Sequence, residues 1–226
     1  MKKKYILNFV KADSPIKEAV TKFGGQPVWI EKPEWAVSRS TGKPMRFIAQ
    51  IRLDEDLFGQ TGSKMAYLFV NDETGENGEF ISNTYDPNGG ENGVIIQPDG
   101  SNPKSIELEN GPSLQEWKVP EGETRRRAFD CEYAVQKSSL VEEEKPVYAE
   151  ISDDEEFMPE YENKVGGYPL FLQDEEYPNS RKNNWNLLLQ LDSTSVPFEL
   201  NFGDSGIGYA YLSKDGKTGK FLWQCS

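Results

Sequence analysis

Histidine is absent from the 226 residues, and cysteine occurs only twice, as Cys131 and Cys225. The first absence excludes a Ser-His-Asp triad, a Cys-His dyad and any His-ligated zinc or haem. Two cysteines make no disulfide framework, so both are expected as small buried hydrophobes with free thiols. No apolar run approaches the ~20 residues of a membrane-spanning helix. The basic start, Lys2 to Lys4, precedes a short apolar stretch broken at Asn8, which reads as a strand and not as a signal peptide. The expected setting is therefore the cytosol, with no membrane partner. Basic residues are also few: 25 against 38 acids give 25 − 38 = −13. That excess argues against nucleic acid, whose phosphates require basic surface.

What is present points to β structure. Hydrophobic residues make up only 36%, but aromatics reach 12% and each ring buries a large area. A chain of this length can bury roughly 70% of its unfolded surface. Phe47, Ala49, Ile51 and Leu53 alternate with polar Arg46, Gln50 and Arg52, and Phe129, Cys131, Tyr133 and Val135 alternate likewise. Both stretches predict half-buried strands. Further strands are expected near 5–10, 27–31, 65–70, 79–82, 93–97, 104–108, 147–151, 169–172, 185–191, 198–202, 207–213 and 219–224. Asp215-Gly216 between two apolar runs is a hairpin signal. Ser14-Pro15 before Ile16 to Val20 predicts a short helix, and Asp153 to Met158 one further turn.

Four blocks recur in the same order. Lys22-Phe23-Gly24-Gly25-Gln26-Pro27-Val28-Trp29 matches Lys164-Val165-Gly166-Gly167-Tyr168-Pro169-Leu170-Phe171. Phe47 to Ile51 matches Leu187 to Leu191, Tyr67 to Val70 matches Tyr209 to Leu212, and Val94 to Gln97 matches Phe221 to Gln224. The expected fold is mostly β with little helix: an internally duplicated β-sheet unit forming one pseudo-barrel or folded sheet. Residues 1–226 then form a single compact domain, with repeats at about 21–97 and 163–224 joined by the segment 98–162. The first copy carries about fifteen extra residues, since 97 − 67 = 30 positions separate Tyr67 from Gln97 but 224 − 209 = 15 separate Tyr209 from Gln224. They fall in 72–93, as a functional loop or a plain surface hairpin.

The same blocks carry a family resemblance. Lys22 to Trp29, Gly42-Lys43-Pro44-Met45-Arg46-Phe47-Ile48-Ala49-Gln50-Ile51 and Asn201-Phe202-Gly203-Asp204-Ser205-Gly206-Ile207-Gly208-Tyr209 resemble the bacterial YwqG family, a domain family of unknown function. The resemblance runs nearly end to end and implies an all-β or nearly all-β, duplicated fold. A weaker resemblance reaches the programmed-cell-death-protein-two and Tsr4 proteins, chaperone-like partners of a ribosomal protein. Those relatives carry zinc-binding cysteines just before Gly-Lys-Pro, where this chain has Ser40 and Thr41. No metal and no cofactor are therefore expected. Some YwqG-like proteins are thought to be immunity proteins against toxins, and the family offers no catalytic residues to carry over.

Each remaining constellation has a functional and a structural reading. The Gly24-Gly25-x-Pro27 and Gly166-Gly167-x-Pro169 motifs suit a phosphate cradle or a sharp turn; with no Gly-Lys-Ser/Thr following, the turn is favoured. Asp86 to Gly93 spaces oxygen side chains like the start of a calcium loop, but Glu91 stands where Gly is required and Gln97 where Glu is. Paired acids with Trp29, Trp35, Tyr85 and Trp117 for sugar stacking would suit a glycosidase. Between Val141 and Tyr177 lie thirteen acids and two bases, −11 of the total −13. That band reads as a solvated face or as a docking surface for a basic partner, with Asp153, Asp154, Glu155 and Glu156 at its centre. The cluster Arg125-Arg126-Arg127 is expected to pair with it. The expected function is a non-enzymatic module that binds a basic protein, as chaperone-like adaptor or immunity protein; the alternative is a carbohydrate-binding or carbohydrate-active protein.

Overall fold

The computed structural model describes residues 1–71, 83–142 and 160–226. Among them the chain forms strands β1 Lys2–Lys11, β2 Lys22–Gly24, β3 Trp35–Ala36, β4 Arg46–Arg52, β5 Met65–Val70, β6 Asn92–Gln97 and β7 Ser105–Ile106. They continue as β8 Gln115–Lys118, β9 Arg127–Asp130, β10 Glu132–Glu142, β11 Lys164–Gly166, β12 Trp185–Asp192, β13 Ile207–Ser213 and β14 Gly219–Gln224. Helix is confined to one turn, α1 Glu55–Phe58, and a 3-10 turn at Lys182–Asn184.

β1 and β10 form an antiparallel ribbon from Lys2↔Glu142 to Lys11↔Tyr133. β2, β4, β5 and β6 follow on the β10 side, and β11, β12, β13 and β14 on the β1 side, in one ten-stranded sheet of described residues. The sheet curls until its edges touch. A Cβ at Gly219 on β14 would fall inside the contact radius of Val94 on β6, and the Ser101 amide donates to Lys217 O at 2.7 Å. The result is a nearly closed barrel whose interior is filled from both sides of the ribbon by Phe23, Leu68, Ile96, Val165, Leu212 and Phe221, among others.

Alternation breaks once in each half. Ile48 and Leu188 are extra residues, because the register steps from Phe47↔Phe69 to Ala49↔Leu68 and from Leu187↔Tyr211 to Leu189↔Ala210. The bulge reverses the phase. Phe47 joins an outer cluster with Trp35, Tyr67 and Phe69, whereas Ala49 and Ile51 join the interior. Leu187 likewise lies with Tyr209 and Tyr211 outside. Both sheet faces are buried, so these strands read as near-continuous apolar runs.

Residues 27–31 and 169–172 are not strands. They are straps laid across the outer faces, and strand side chains bind their backbone. Gln50 Oε1 accepts from the Val28 amide at 2.8 Å, and Gln190 Oε1 from the Leu170 amide at 2.9 Å. Tyr67 OH donates to Val28 O and accepts from the Ile30 amide; Tyr209 OH does the same with Leu170 O and the Leu172 amide. Gln97 joins Glu31 N and Lys32 O, and Gln224 joins Gln173 N and Asp174 O. The expected helix at 14–20 does not form either: the Glu18 and Val20 carbonyls accept from Gln50 Nε2, and Ile16 O accepts from Lys22 Nζ. Residues 198–202 form no strand; Phe198 and Phe202 fill the core while the Glu199 amide donates to Gln115 O. The strands expected at 79–82 and 147–151 and the turn at 153–158 lie outside the described residues.

The described part of the 72–93 insertion braces the seam. Lys220 Nζ on β14 donates to Pro87 O and Asn88 Oδ1, and Trp223 Nε1 donates to Thr84 Oγ1. Among the described residues no helix is long and apolar enough to cross a membrane.

Candidate functional site

Both Gly-Gly turns hold two residues at positive φ: +67° and +63° at Gly24 and Gly25, +76° and +74° at Gly166 and Gly167. The amides of Gly25 and Gly167 donate to Cys131 O and Lys3 O of the central ribbon. A Cβ at Gly25 would collide with the Glu132 carboxylate, and one at Gly167 would lie 2.6 Å from Glu142 Oε2. The Tyr168 amide donates to Glu142 Oε2 at 2.7 Å. In the second turn, the anion received is thus the chain's own carboxylate. Pro27 and Pro169 then lead into the straps, not into edge strands.

Lys22 and Lys164, each two residues before its glycine pair, are the deepest charges among the described residues. Lys22 Nζ reaches Glu132 and donates to Gln26 O at 2.6 Å. Lys164 Nζ lies 3.1 Å from Glu142 Oε1, which also accepts from Lys4 at 2.8 Å. Lys4 bridges on to Glu162. Burial pulls both Lys22 and Lys164 below the usual lysine range despite these partners. Burial would lower Lys4 as well, but its bonds to Glu142 and Glu162 outweigh that and leave it raised. An amine at 1% or 2% exposure has no path to a substrate, so these lysines pin strands together.

The acidic band contains lysine-bound carboxylates and solvent-exposed ones. Asp153, Asp154, Glu155 and Glu156 fall within 143–159, outside the described residues. Glu142 and Glu162 are taken by lysines. Asp174, Glu175 and Glu176 are exposed and, with Gln173 and Gln224, line an open depression of about 580 Å³ on the second strap. The corresponding place on the first strap is different. There Lys32 pairs with Glu107 at 2.7 Å, and Glu34 accepts from Asn102 Nδ2 at 2.9 Å. The two halves share a backbone plan but not a surface charge.

Several sequence candidates resolve into structure. Asp86 Oδ1 accepts from the Asn88 amide, and the Asn92 side-chain amide donates to Thr84 O and Asp86 O, so donors point where a cation would need oxygens. Among the described residues no group of three or more metal-ligating side chains converges. Trp35 is fully buried and Trp29 packs on the outer core, whereas Tyr85, which meets Trp223 edge-on, and Trp117 are each about half exposed. Arg127 pairs with Glu123 inside its own hairpin. Both cysteines are free, and burial pushes the Cys131 thiol up to about 12.

One centre was not visible in the sequence. Glu91, 3% exposed, accepts from Ser38 Oγ and Asn71 Nδ2 at 2.7 Å and from the Ser40 amide at 2.9 Å. Burial would raise its carboxyl, but these donors outweigh it and hold it below the usual range. Hydrogen bonds to a carboxylate therefore fix the turn that contains Ser40 and Thr41. Its partners lie 53 and 20 residues away, with no motif joining them.

The sequence profile of a family described as a domain of unknown function, DUF1963, matches residues 21–221. The chain belongs to that family, which includes the YwqG-like proteins. No curated protein matches the chain.

Proposed function

We propose that this DUF1963 chain is a non-enzymatic, cytosolic protein-binding module whose partner is a basic protein, as a chaperone-like adaptor or an immunity protein would require. The observation that carries the reading is the acidic depression on the second strap. Its three carboxylates are exposed and lie in the same stretch of sequence as Asp153 to Glu156. Exposed acids of one sign steer a basic partner and raise its association rate, while adding little to folding stability. The deep lysines are too enclosed to serve as nucleophiles, which favours binding over chemistry. The carbohydrate alternative loses support from Trp35, which is buried, and from Trp29, which packs on the outer core, and keeps only Tyr85 and Trp117 as exposed rings.

The test is affinity capture from lysate at low and high salt, with the parent and with Asp174→Asn/Glu175→Gln as baits. The reading predicts a basic protein that the parent retains at low salt and releases at high salt, and that the variant captures poorly. Equal capture by both baits, or a partner retained regardless of salt, contradicts it.

A further inference from the structure

The arginine run Arg125-Arg126-Arg127 lies on a hairpin that stands outside the ten-stranded sheet. β8 and β9 pair only with each other, from Gln115↔Asp130 to Lys118↔Arg127. A two-stranded ribbon has marginal stability of its own, and its unpaired backbone edges are templates for another strand. Among the described residues no hydrogen bond reaches the outer edge of β9. The hairpin also exposes large apolar side chains, Trp117 and Val119 at 52% each and Phe129 at 42%. Ala128 stands opposite Trp117 in the register and is small, which leaves the indole open on the β9 side.

The charges follow the same pattern. Lys118 is paired with Glu116 at 2.7 Å and Arg127 with Glu123 at 2.8 Å. Arg125 and Arg126 are exposed and form no ion pair among the described residues, with Glu121 as the unpaired acid beside them. Tryptophan and arginine are the side chains most enriched at binding hot spots.

We infer that the β8–β9 hairpin is an interaction surface for an acidic, extended peptide segment. The segment adds to β9 as a third strand, sets carboxylates against Arg125 and Arg126, and lays alternate apolar side chains beside Trp117. Arg125 and Arg126 are opposite in sign to the acidic depression, and the inference does not depend on that depression binding anything.

The experiment titrates ¹⁵N-labelled protein with a synthetic peptide of alternating Glu and Val, and separately with one of alternating Lys and Val. The Glu peptide should shift amides of 115–130 and slow hydrogen exchange along β9; the Lys peptide should leave them unmoved. Trp117→Ala should weaken the Glu peptide about thirtyfold. Arg125→Glu with Arg126→Glu should weaken it about tenfold and flatten its salt dependence. Because these side chains are exposed, the variants should stay folded, which the unchanged remainder of the spectrum will show. N-methylation of alternate backbone amides in the peptide should abolish binding. The inference is overturned if the hairpin does not respond up to about 1 mM peptide, if both peptides move it equally, or if the N-methylated peptide binds as well. Movement of 173–176 by the Lys peptide bears only on the acidic depression.

Discussion

Lys22 shows how a single buried charge is held. Its Nζ serves Glu132 and Gln26 O, so Lys22→Met would strand a carboxylate and a carbonyl together. We expect a loss of about 3–5 kcal/mol in urea denaturation, with Lys22→Met/Glu132→Leu recovering a large part of it. If the double variant is no better than the single, the pair is not the cause. Gly24 and Gly42 separate strain from collision: both have positive φ, at +67° and +71°, but only Gly24 has backbone where a Cβ would go. Gly42→Ala should cost about 1 kcal/mol, and Gly24→Ala clearly more; equal melting temperatures would contradict the packing assigned to the first turn. Glu91 sets an acid limit. Its folded pKa lies below the unfolded one, so its contribution is complete above about pH 4.3 and is lost as pH falls through the lower folded value. Glu91→Gln should lose about 1–3 kcal/mol at neutral pH and flatten the stability slope below about pH 4.3. An unchanged slope would mean Glu91 is not ionised in the fold. The glycine pairs and their lysines were legible in sequence because they repeat. Glu132, Glu142 and Glu91 were not, because each partner reaches them only through tertiary pairing.

At the scale of elements, the sheet strands were legible and the straps were not. Val28 and Leu170 are apolar and next to proline, so 27–31 and 169–172 resemble strands. Their backbone bonds, however, go to glutamine and tyrosine side chains. The bulges at Ile48 and Leu188 were also hidden, since Phe47 keeps alternation with Ala49 in sequence while facing the other side of the sheet. Ser14-Pro15 signals a helix start, but the following carbonyls are claimed by Gln50 and Lys22. If the straps are held as described, Tyr67→Phe and Tyr209→Phe should each cost about 1–2 kcal/mol, by loss of a hydroxyl that both donates and accepts. Chemical denaturation of the two variants should give similar losses. A loss in one half and none in the other would show that the matched bonds are not equivalent in energy.

Across the whole molecule, matched strands flank the β1–β10 ribbon and matched side chains hold matched straps. Both sets lie in one ten-stranded sheet with the ribbon between them. The four pairs of similar blocks were readable in the sequence, but the ribbon's central place was not, because β1 and β10 belong to neither block set. The copies differ where they face solvent: the first strap carries Lys32, paired with Glu107, whereas the second carries three successive exposed acids, Asp174, Glu175 and Glu176. Asp153, Asp154, Glu155 and Glu156 belong to the same acidic stretch of sequence. The central claim, that this stretch steers a basic partner, rests on charge and therefore on screening over roughly 8 Å at physiological ionic strength. The direct measurement is the association rate of the captured partner against salt. It compares the parent with the variant Asp153→Asn, Asp154→Asn, Glu155→Gln, Glu156→Gln, at matched melting temperatures. The account predicts a rate that falls steeply with salt for the parent and is both lower and flatter for the variant; identical rates with identical salt slopes would contradict it.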